Sequence, residues 1–537
     1  MSQINEPDMS PDTVPEPSSD AKPEGASPRR RGRRRSVGAE TGSPPINQQQ
    51  FFKPQNHMAP LTPLSDDHIA EIHNQSLRIL SELGIEVDSA NARAAYKDAG
   101  ADVDEASHIV RLDEALVMQL VASAPASFTL TPTNPDRALT IGGNNIYFGL
   151  VSGAPNVHCA LKGRRTGNFE DYKNLIKLGQ YFNAIHFFGN QALAPNDLAV
   201  NTRHLDTVLV NLTLSDKIFL TMSIGEVRVS DAAQMLAIAR GISLDELSQS
   251  PSCITNININ SPRKFDTEMA AAAMYLARLG QAVVVTPFTL MGAMTPVTMA
   301  AALAQQNAEA LMGICLTQIV NPGAPVVYGG FTSNVDLKTG APAFGTPENT
   351  LANMAGGQLA RHYNLPYRTS ACSASNCVDA QGIWETQMAL WGAVTGHGNL
   401  IYHAAGWQEG GLVASYEKLI VDIEMLQAMH RILTPLSFSE ADFGFDAQRQ
   451  TPAGGHFFGA DHTLERYKTA FYSPILSDWS NNEAWEKQGG LRADERATAI
   501  WQQALEDYQP PSMPADRVEA LEAFVSKRKE EIGTSEI

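Results

Sequence analysis

The side chains best suited to chemistry gather in one stretch. In Asn399-Leu-Ile-Tyr-His-Ala-Ala-Gly-Trp-Gln-Glu-Gly-Gly411 a short apolar run leads into a Gly-rich turn carrying His403, Trp407 and Glu409. Histidine can move a proton near neutral pH. The face of a tryptophan can hold a cation. Glutamate can act as a base or a ligand. The turn glycines, placed before a helix, could cradle an anion on backbone amides, although Glu409 would repel it. Each residue also has an ordinary counterpart: a satisfied core histidine, a packed aromatic, a helix-capping glutamate.

The elements around this stretch say how it is positioned. Ser415–Arg431 carries apolar residues at Leu419, Ile420, Ile423, Leu426 and Met429, near the spacing of one helical face. The unit is therefore strand, loop, helix, and the same unit recurs upstream. Strand-like runs occur at Ile146–Ser152, Ile185–Gln191, Ile218–Ile224, Cys253–Asn260, Ala282–Leu290, Pro325–Thr332, Tyr367–Ala371 and Leu400–Ala404. Helical patterns follow at about 168–182, 197–213, 228–240, 265–279, 296–320, 347–362, 379–396 and 415–432. Continuously apolar strands alternating with helices imply a parallel sheet buried on both faces. Eight such units predict a (β/α)8 TIM barrel over 145–434, with a doubly wound sheet the weaker choice.

Outside the barrel, 61–144 reads as an N-terminal α+β extension. It opens with a capped helix at Ser65–Gly84, has further helix at 89–99 and 113–123, and ends in a β-like stretch from Phe128 to Ile141. Residues 435–537 read as a C-terminal helical extension that covers the barrel or forms a subunit contact, with helices at Leu491–Tyr508 and Pro514–Lys529. Residues 1–60 are rich in Pro, Ser and charge and are expected to be a disordered tail. The run Arg29–Arg35 inside it is a solvated basic segment unless an acidic partner, a nucleic acid or a membrane surface takes it up.

Catalytic residues of such barrels stand where strands end. The eight ends present Ser152 and Asn156; Asn190 and Gln191; Ser223; Asn256, Asn258 and Asn260; Thr286 and Thr289; Thr332, Ser333 and Asn334; Arg368, Thr369 and Ser370; then His403, Trp407, Gln408 and Glu409. These groups are mostly neutral. No Lys is placed for a Schiff base, no Asp and Glu set for Mg²⁺, no His cluster for zinc, and no carboxylate pair for glycoside cleavage. No metal is expected. Arg368 could clamp a carboxylate with its planar fork. Aromatic residues collect at the same ends, among them Tyr328, Phe331, Tyr402 and Trp407. Beyond the last apolar positions they could form faces for a quaternary ammonium.

Composition narrows the classes further. The formal net charge of −18 argues against general nucleic-acid binding. No run of 18 apolar residues and no secretory h-region occur, so neither a membrane span nor export is expected, and a cytoplasmic location is. The five cysteines are too scattered for a disulfide framework or a zinc site.

Three motifs carry a resemblance: Ala404-Ala-Gly-Trp-Gln-Glu-Gly-Gly-Leu412 with its following Ser-x-Glu-Lys-Leu, Gly454-Gly-His-Phe-Phe-Gly-Ala-Asp-His-Thr-Leu464, and the helix end Ser81-Glu-Leu-Gly-Ile85. Over roughly 60–510 the chain resembles the trimethylamine methyltransferase family. That resemblance implies a (β/α)8 barrel that passes a methyl group from an amine to the Co(I) centre of a separate corrinoid protein, with no cofactor bound by this chain itself. Trimethylamine-specific members carry pyrrolysine. This chain contains only standard residues and is similar to the non-pyrrolysine branch, some of whose members demethylate glycine betaine. On this reading Arg368 holds the substrate carboxylate and Trp407, Phe331 and Tyr328 face its cation. His403 and Glu409 line the catalytic centre, and His456 closes the mouth from a C-terminal lid. A homo-oligomer is also expected. The competing readings are a non-catalytic barrel that binds a quaternary amine and a phosphosugar-binding barrel.

Overall fold

A computed structural model describes residues 46–189 and 191–533. The Arg29–Arg35 run and Asn190 lie outside the described residues. Eight parallel strands close into a barrel: β1 (Tyr147–Leu150), β2 (Phe187–Phe188), β3 (Ile218–Thr221), β4 (Ile254–Ile257), β5 (Ala282–Val285), β6 (Val326–Gly329), β7 (Tyr367–Ser370) and β8 (Leu400–Ala405). Each is followed by its helix: α1 (Phe169–Tyr181), α2 (Arg203–Leu214), α3 (Glu226–Arg240), α4 (Thr267–Arg278), α5 (Met299–Val320), α6 (Pro347–His362), α7 (Ala380–Thr395) and α8 (Tyr416–Leu433). The barrel expected from the strand–helix alternation is the fold observed.

Its strands are largely apolar because they serve two cores, although β7 carries Arg368, Thr369 and Ser370. Along β5, Ala282 and Val284 point into the lumen with Val327, Leu400 and Tyr402, while Val283 and Val285 pack outward beneath the helices. Fully burying each such side chain contributes about 1.5–3 kcal/mol, so both faces of every strand drive closure.

The lumen is stoppered at its N-terminal end. A hairpin of Ser127–Leu130 and Leu139–Gly142 lays Leu130, Leu139 and Ile141 into the lumen core beside Tyr147, Phe187 and Ile218. This hairpin is the β-like stretch read in the sequence. Residues 46–60, expected to be disordered, instead form a strap along the barrel. Asn56 Nδ2 donates to the Val394 carbonyl at 2.7 Å, and the Phe52 ring meets His430 edge-on at 4.6 Å. Phe51 and Phe52 supply the apolar surface that a Pro-rich composition seemed to lack.

Two predicted strands are each divided. The run read as Ala282–Leu290 yields β5 and a separate strand Phe288–Met291, and Pro325–Thr332 yields β6 and Phe331–Val335. The breaks fall at Thr286-Pro287, where proline has no N–H for the ladder, and at Gly330. The outer halves pair with each other and with Pro342–Ala343 in a small sheet beyond the barrel end.

The C-terminal helices join the outer layer. Ala493–Asp507 packs on α8 and α1, with the Trp501 ring 4.8 Å from Tyr416. Ala515–Ile532 packs on α2 and α3, burying Leu521, Val525 and Ile532. Its charges are also engaged there: Arg528 bonds Asp231 at 2.8 Å and Lys529 bonds Asp206 at 2.6 Å. Among the described residues no helix is long and apolar enough to cross a membrane.

Candidate active site

At the C-terminal mouth of the barrel lies a cavity of about 550 Å³. Phe288, Phe331, Phe344, Tyr402, His403 and Trp407 form its aromatic wall. Arg368, Ser152, Asn256, Asn258 and Thr286 supply the polar part, and Gly410, Gly411 and Leu412 the rim.

Local backbone irregularity builds the wall. β8 pairs with β1 through Leu400 and Ile401, then shifts register before Ala405 meets Leu150. Inside this bulge His403 adopts φ +58°, a left-handed conformation costly for a residue with a Cβ. Both Tyr402 and His403 thus line the cavity, although strand alternation alone would turn one of them away. Trp407 follows on a short strand, Trp407–Gln408, that folds back onto Val413–Ser415. Its indole lies over Gly411, where an added Cβ would sit 2.4 Å from the ring at φ +99°, so only glycine fits. The His403 and Trp407 rings are 4.0 Å apart. Phe331 lies 5.6 Å from both His403 and Phe344, and Phe288 lies 4.9 Å from Phe331.

Beneath the turn is a charged anchor. The Gly406 amide donates to Asp422 Oδ2 at 2.8 Å, Asp422 pairs with Lys418, and Lys418 Nζ donates to Thr386 Oγ1 at 2.8 Å. Lys418 and Asp422 are fully buried. This pair fixes where the chain leaves β8 and hence where Trp407 stands.

Arg368 is the electrostatic centre of the cavity. It is 2% exposed and lies over the faces of Tyr402, at 4.2 Å, and Phe331, at 5.1 Å. Its Nη1 makes one long bond, 3.4 Å, to the Gly330 carbonyl, and its Nε has no partner. Among the described residues no carboxylate forms an ion pair with it. Burial pushes the guanidinium down to about 10 from 12.5, with only weak compensation from Tyr402 and Cys372. The same burial, reinforced by the Arg368 charge, holds His403 well below its ordinary value and therefore neutral. Tyr402 Oη, His403 Nδ1 and Trp407 Nε1 are likewise buried without partners. Unpaired polar atoms at this density are costly in a packed core and are characteristic of a binding site.

Four sequence-derived candidates therefore meet here: Arg368, Phe331, His403 and Trp407. Three others stand elsewhere. Tyr328 lies on the outward phase of β6, where its hydroxyl donates to Asn307 and accepts from Gln306 within the helix layer. Glu409 sits at the rim with φ +51°, its carboxylate held by Arg164 at 3.0 Å on the facing hairpin. His456 is exposed, 5.5 Å from Phe458, and no residue beyond Leu433 lines the cavity. Of the C-terminal extension, the helices Ala493–Asp507 and Ala515–Ile532 pack against the barrel's outer helices instead. In the sequence Tyr402 reads only as a strand-end aromatic, Phe288 opens the outer strand Phe288–Met291 that the sequence runs together with β5, and Phe344 carries no signal because it follows a short strand in a segment without clear periodicity. Among the described residues no group of three or more His, Cys, Asp or Glu could hold a metal.

A closed barrel with an aromatic cavity and one uncompensated cation at its C-terminal mouth has the form of a small-molecule enzyme. The chain belongs to the trimethylamine methyltransferase (MTTB) family, whose sequence model matches residues 29–533, and it is thereby a methyltransferase. It is 35% identical to the glycine betaine methyltransferase of Desulfitobacterium hafniense (strain Y51) over 88% of this chain and 98% of that protein. It is 27% identical to the trimethylamine methyltransferase MttB of D. hafniense (strain DSM 10664 / DCB-2), over 88% and 95%. Identity to the proline betaine:corrinoid methyltransferase of Eubacterium limosum is also 27%, over 84% and 95%.

Proposed function

We propose that this enzyme demethylates a quaternary amine that carries a carboxylate, of the glycine betaine type, with a corrinoid protein as methyl acceptor. The observation that carries this reading is Arg368: a buried guanidinium without an acidic partner, set among aromatic faces. A zwitterion satisfies both features at once. Its carboxylate takes the guanidinium in a charge-assisted bond, and its ammonium, which has no N–H to donate, rests against Phe331, Trp407 and Phe344. Both relatives named for betaines are consistent with this choice.

The corrinoid, carried by its own protein, supplies the Co(I) nucleophile that accepts the methyl group. The rim fits such an encounter: Gly410, Gly411 and the exposed Leu412 leave an open, largely apolar edge over which a flat ring can approach. The enzyme's residues then have a limited task. As the methyl–nitrogen bond breaks, its electron pair stays on nitrogen and the amine departs neutral, so no acid is needed. The neutral His403 accords with this: it packs on Trp407 and holds the aromatic wall rather than delivering a proton. Arg368 orients the substrate so that one methyl faces the rim, a positioning effect. Glu409 and Arg164 shape the edge.

The test is direct. Purified enzyme, glycine betaine and Co(I) cobalamin should give methyl transfer visible in the corrinoid spectrum, with one equivalent of dimethylglycine. No transfer from any quaternary amine, to either free cobalamin or a corrinoid protein, would sink the proposal. Tight betaine binding without transfer would instead identify a non-catalytic betaine-binding barrel.

A further inference from the structure

We propose that the segment between Thr434 and Trp479 is the surface through which two copies of this chain associate. α8 runs from the mouth back toward the stoppered end, so the segment leaves the barrel at the end opposite the cavity. Its return is tied to the same helix: Arg431 Nη2 donates to the Ala470 carbonyl at 3.0 Å, and the Ile475 and Leu476 amides donate to Glu424 Oε2 at 2.9 and 3.0 Å.

Between these ties the segment has order but no core. Three short helices, Glu440–Phe443, Phe445–Gln450 and Asp461–Arg466, are linked by a capping box at Ser439 and by His462 Nε2 against the Ala441 carbonyl at 3.0 Å. Helices this short do not persist on propensity alone. From Thr434 to Ile475 only Ala447 is buried, whereas Phe438, Phe443, Phe445, Phe458, Phe471 and Trp479 are 60–85% exposed. Six such side chains leave roughly 900 Å² of apolar surface, taking about 200 Å² for each ring residue. That exceeds the patch of about 300–600 Å² usual on a monomer and is close to the ~800 Å² per partner of a standard interface.

The occupant is a second copy rather than the methyl acceptor. An acceptor that must arrive and leave with each turnover engages the mouth, and no residue of this segment lines that cavity. A permanently apolar surface of this size also suits a lasting contact better than a transient one. The segment's six acids and three bases give it a charge of −3 against −18 for the whole chain, too little to repel its own copy but enough to disfavour an anionic membrane. A self-complementary contact about a two-fold axis closes after two chains.

Light scattering on the eluting full-length chain should give an even multiple of 58.1 kDa at micromolar concentration. The double variant Phe458→Glu/Phe471→Glu should elute at half that multiple or less, with betaine affinity at the mouth unchanged. A wild-type monomer, or a variant whose mass does not change, overturns the assignment. Should the variant not fold, cross-linking of the wild type through Lys468 provides the second reading: chain-to-chain links from this segment are expected, and their absence overturns it. If the wild type is monomeric and the variant loses transfer only to a corrinoid protein, the surface belongs to that protein and the proposal fails. Because these readouts are mass and cross-links, their failure is distinct from a failure of the methyl-transfer reading.

Discussion

Replacing Arg368 with Met should make the protein more stable and a poorer enzyme. A guanidinium pushed by burial from 12.5 to about 10 carries about 3 kcal/mol of unrelieved desolvation at neutral pH. The sign follows from linkage: a base whose folded value is depressed is favoured in its charged form by the unfolded chain, so below about pH 10 the folded state bears this cost in full. Methionine fills a similar volume without charge. It forfeits the contact with the Tyr402 face at 4.2 Å, worth about 0.5–2 kcal/mol. The net expectation is about 1–2 kcal/mol of added stability, seen as a rise of a few degrees in the melting temperature of the ligand-free protein. Binding should move the other way. A carboxylated quaternary amine should lose roughly a hundredfold in affinity, near 2.7 kcal/mol, while choline, which has no carboxylate, should change by less than about fivefold. Thermal unfolding with each ligand, together with calorimetric titration, reads both quantities from one preparation. If the variant is less stable than wild type, or loses both amines equally, Arg368 is a structural residue and the reasoning fails.

Removing one member of the buried pair beneath the Gly406 turn, Asp422→Ala, should cost about 3–5 kcal/mol in denaturant unfolding, because Lys418 is then buried without a counter-charge. The double variant Lys418→Met/Asp422→Leu should recover most of that stability but not the rate of methyl transfer, since Gly406 still lacks its acceptor. Three buried histidines, His186, His403 and His430, are all held below their ordinary value by burial, His430 at about 3. The unfolded chain binds their protons first, so stability should fall as pH drops below about 6.5, with up to roughly three protons taken up on unfolding near pH 5; a melting temperature flat from pH 7 to 5 would contradict this. Glu409→Gln removes only a rim ion pair with a half-exposed Arg164, so transfer to free cobalamin should change by less than about threefold.

The barrel was legible because its strands and helices alternate with few interruptions and because strands buried on both faces read as plain apolar runs. That same property concealed the phase of each strand. Tyr328 and Tyr402 are the same residue type near the ends of two barrel strands, yet Tyr328 shares the outward phase of Val326 and Tyr402 the inward phase of Leu400. When both faces are apolar no polar residue marks which is which. Arg368 stood out as a charge inside such a run, and His403 and Trp407 stood out in a Gly-rich turn. The partners of other side chains were hidden by distance along the chain: Glu409 is engaged by a residue 245 positions away, and nothing local to it indicates that. Phe344 reaches the cavity only because the outer halves of two divided strands form a small sheet there, an arrangement set by tertiary packing.

The hairpin that stoppers the lumen has a kinetic consequence. A barrel filled with Leu130, Leu139 and Ile141 at one end has a single door. Under the proposed methyl transfer, a small molecule and a macromolecular reactant that share this door cannot enter independently: the small one must already be seated when the large one arrives, and the large one then seals the room. The product is held until its visitor departs. Saturating concentrations of the larger reactant should therefore slow turnover by occupying empty enzyme, a pattern of substrate inhibition set by architecture alone.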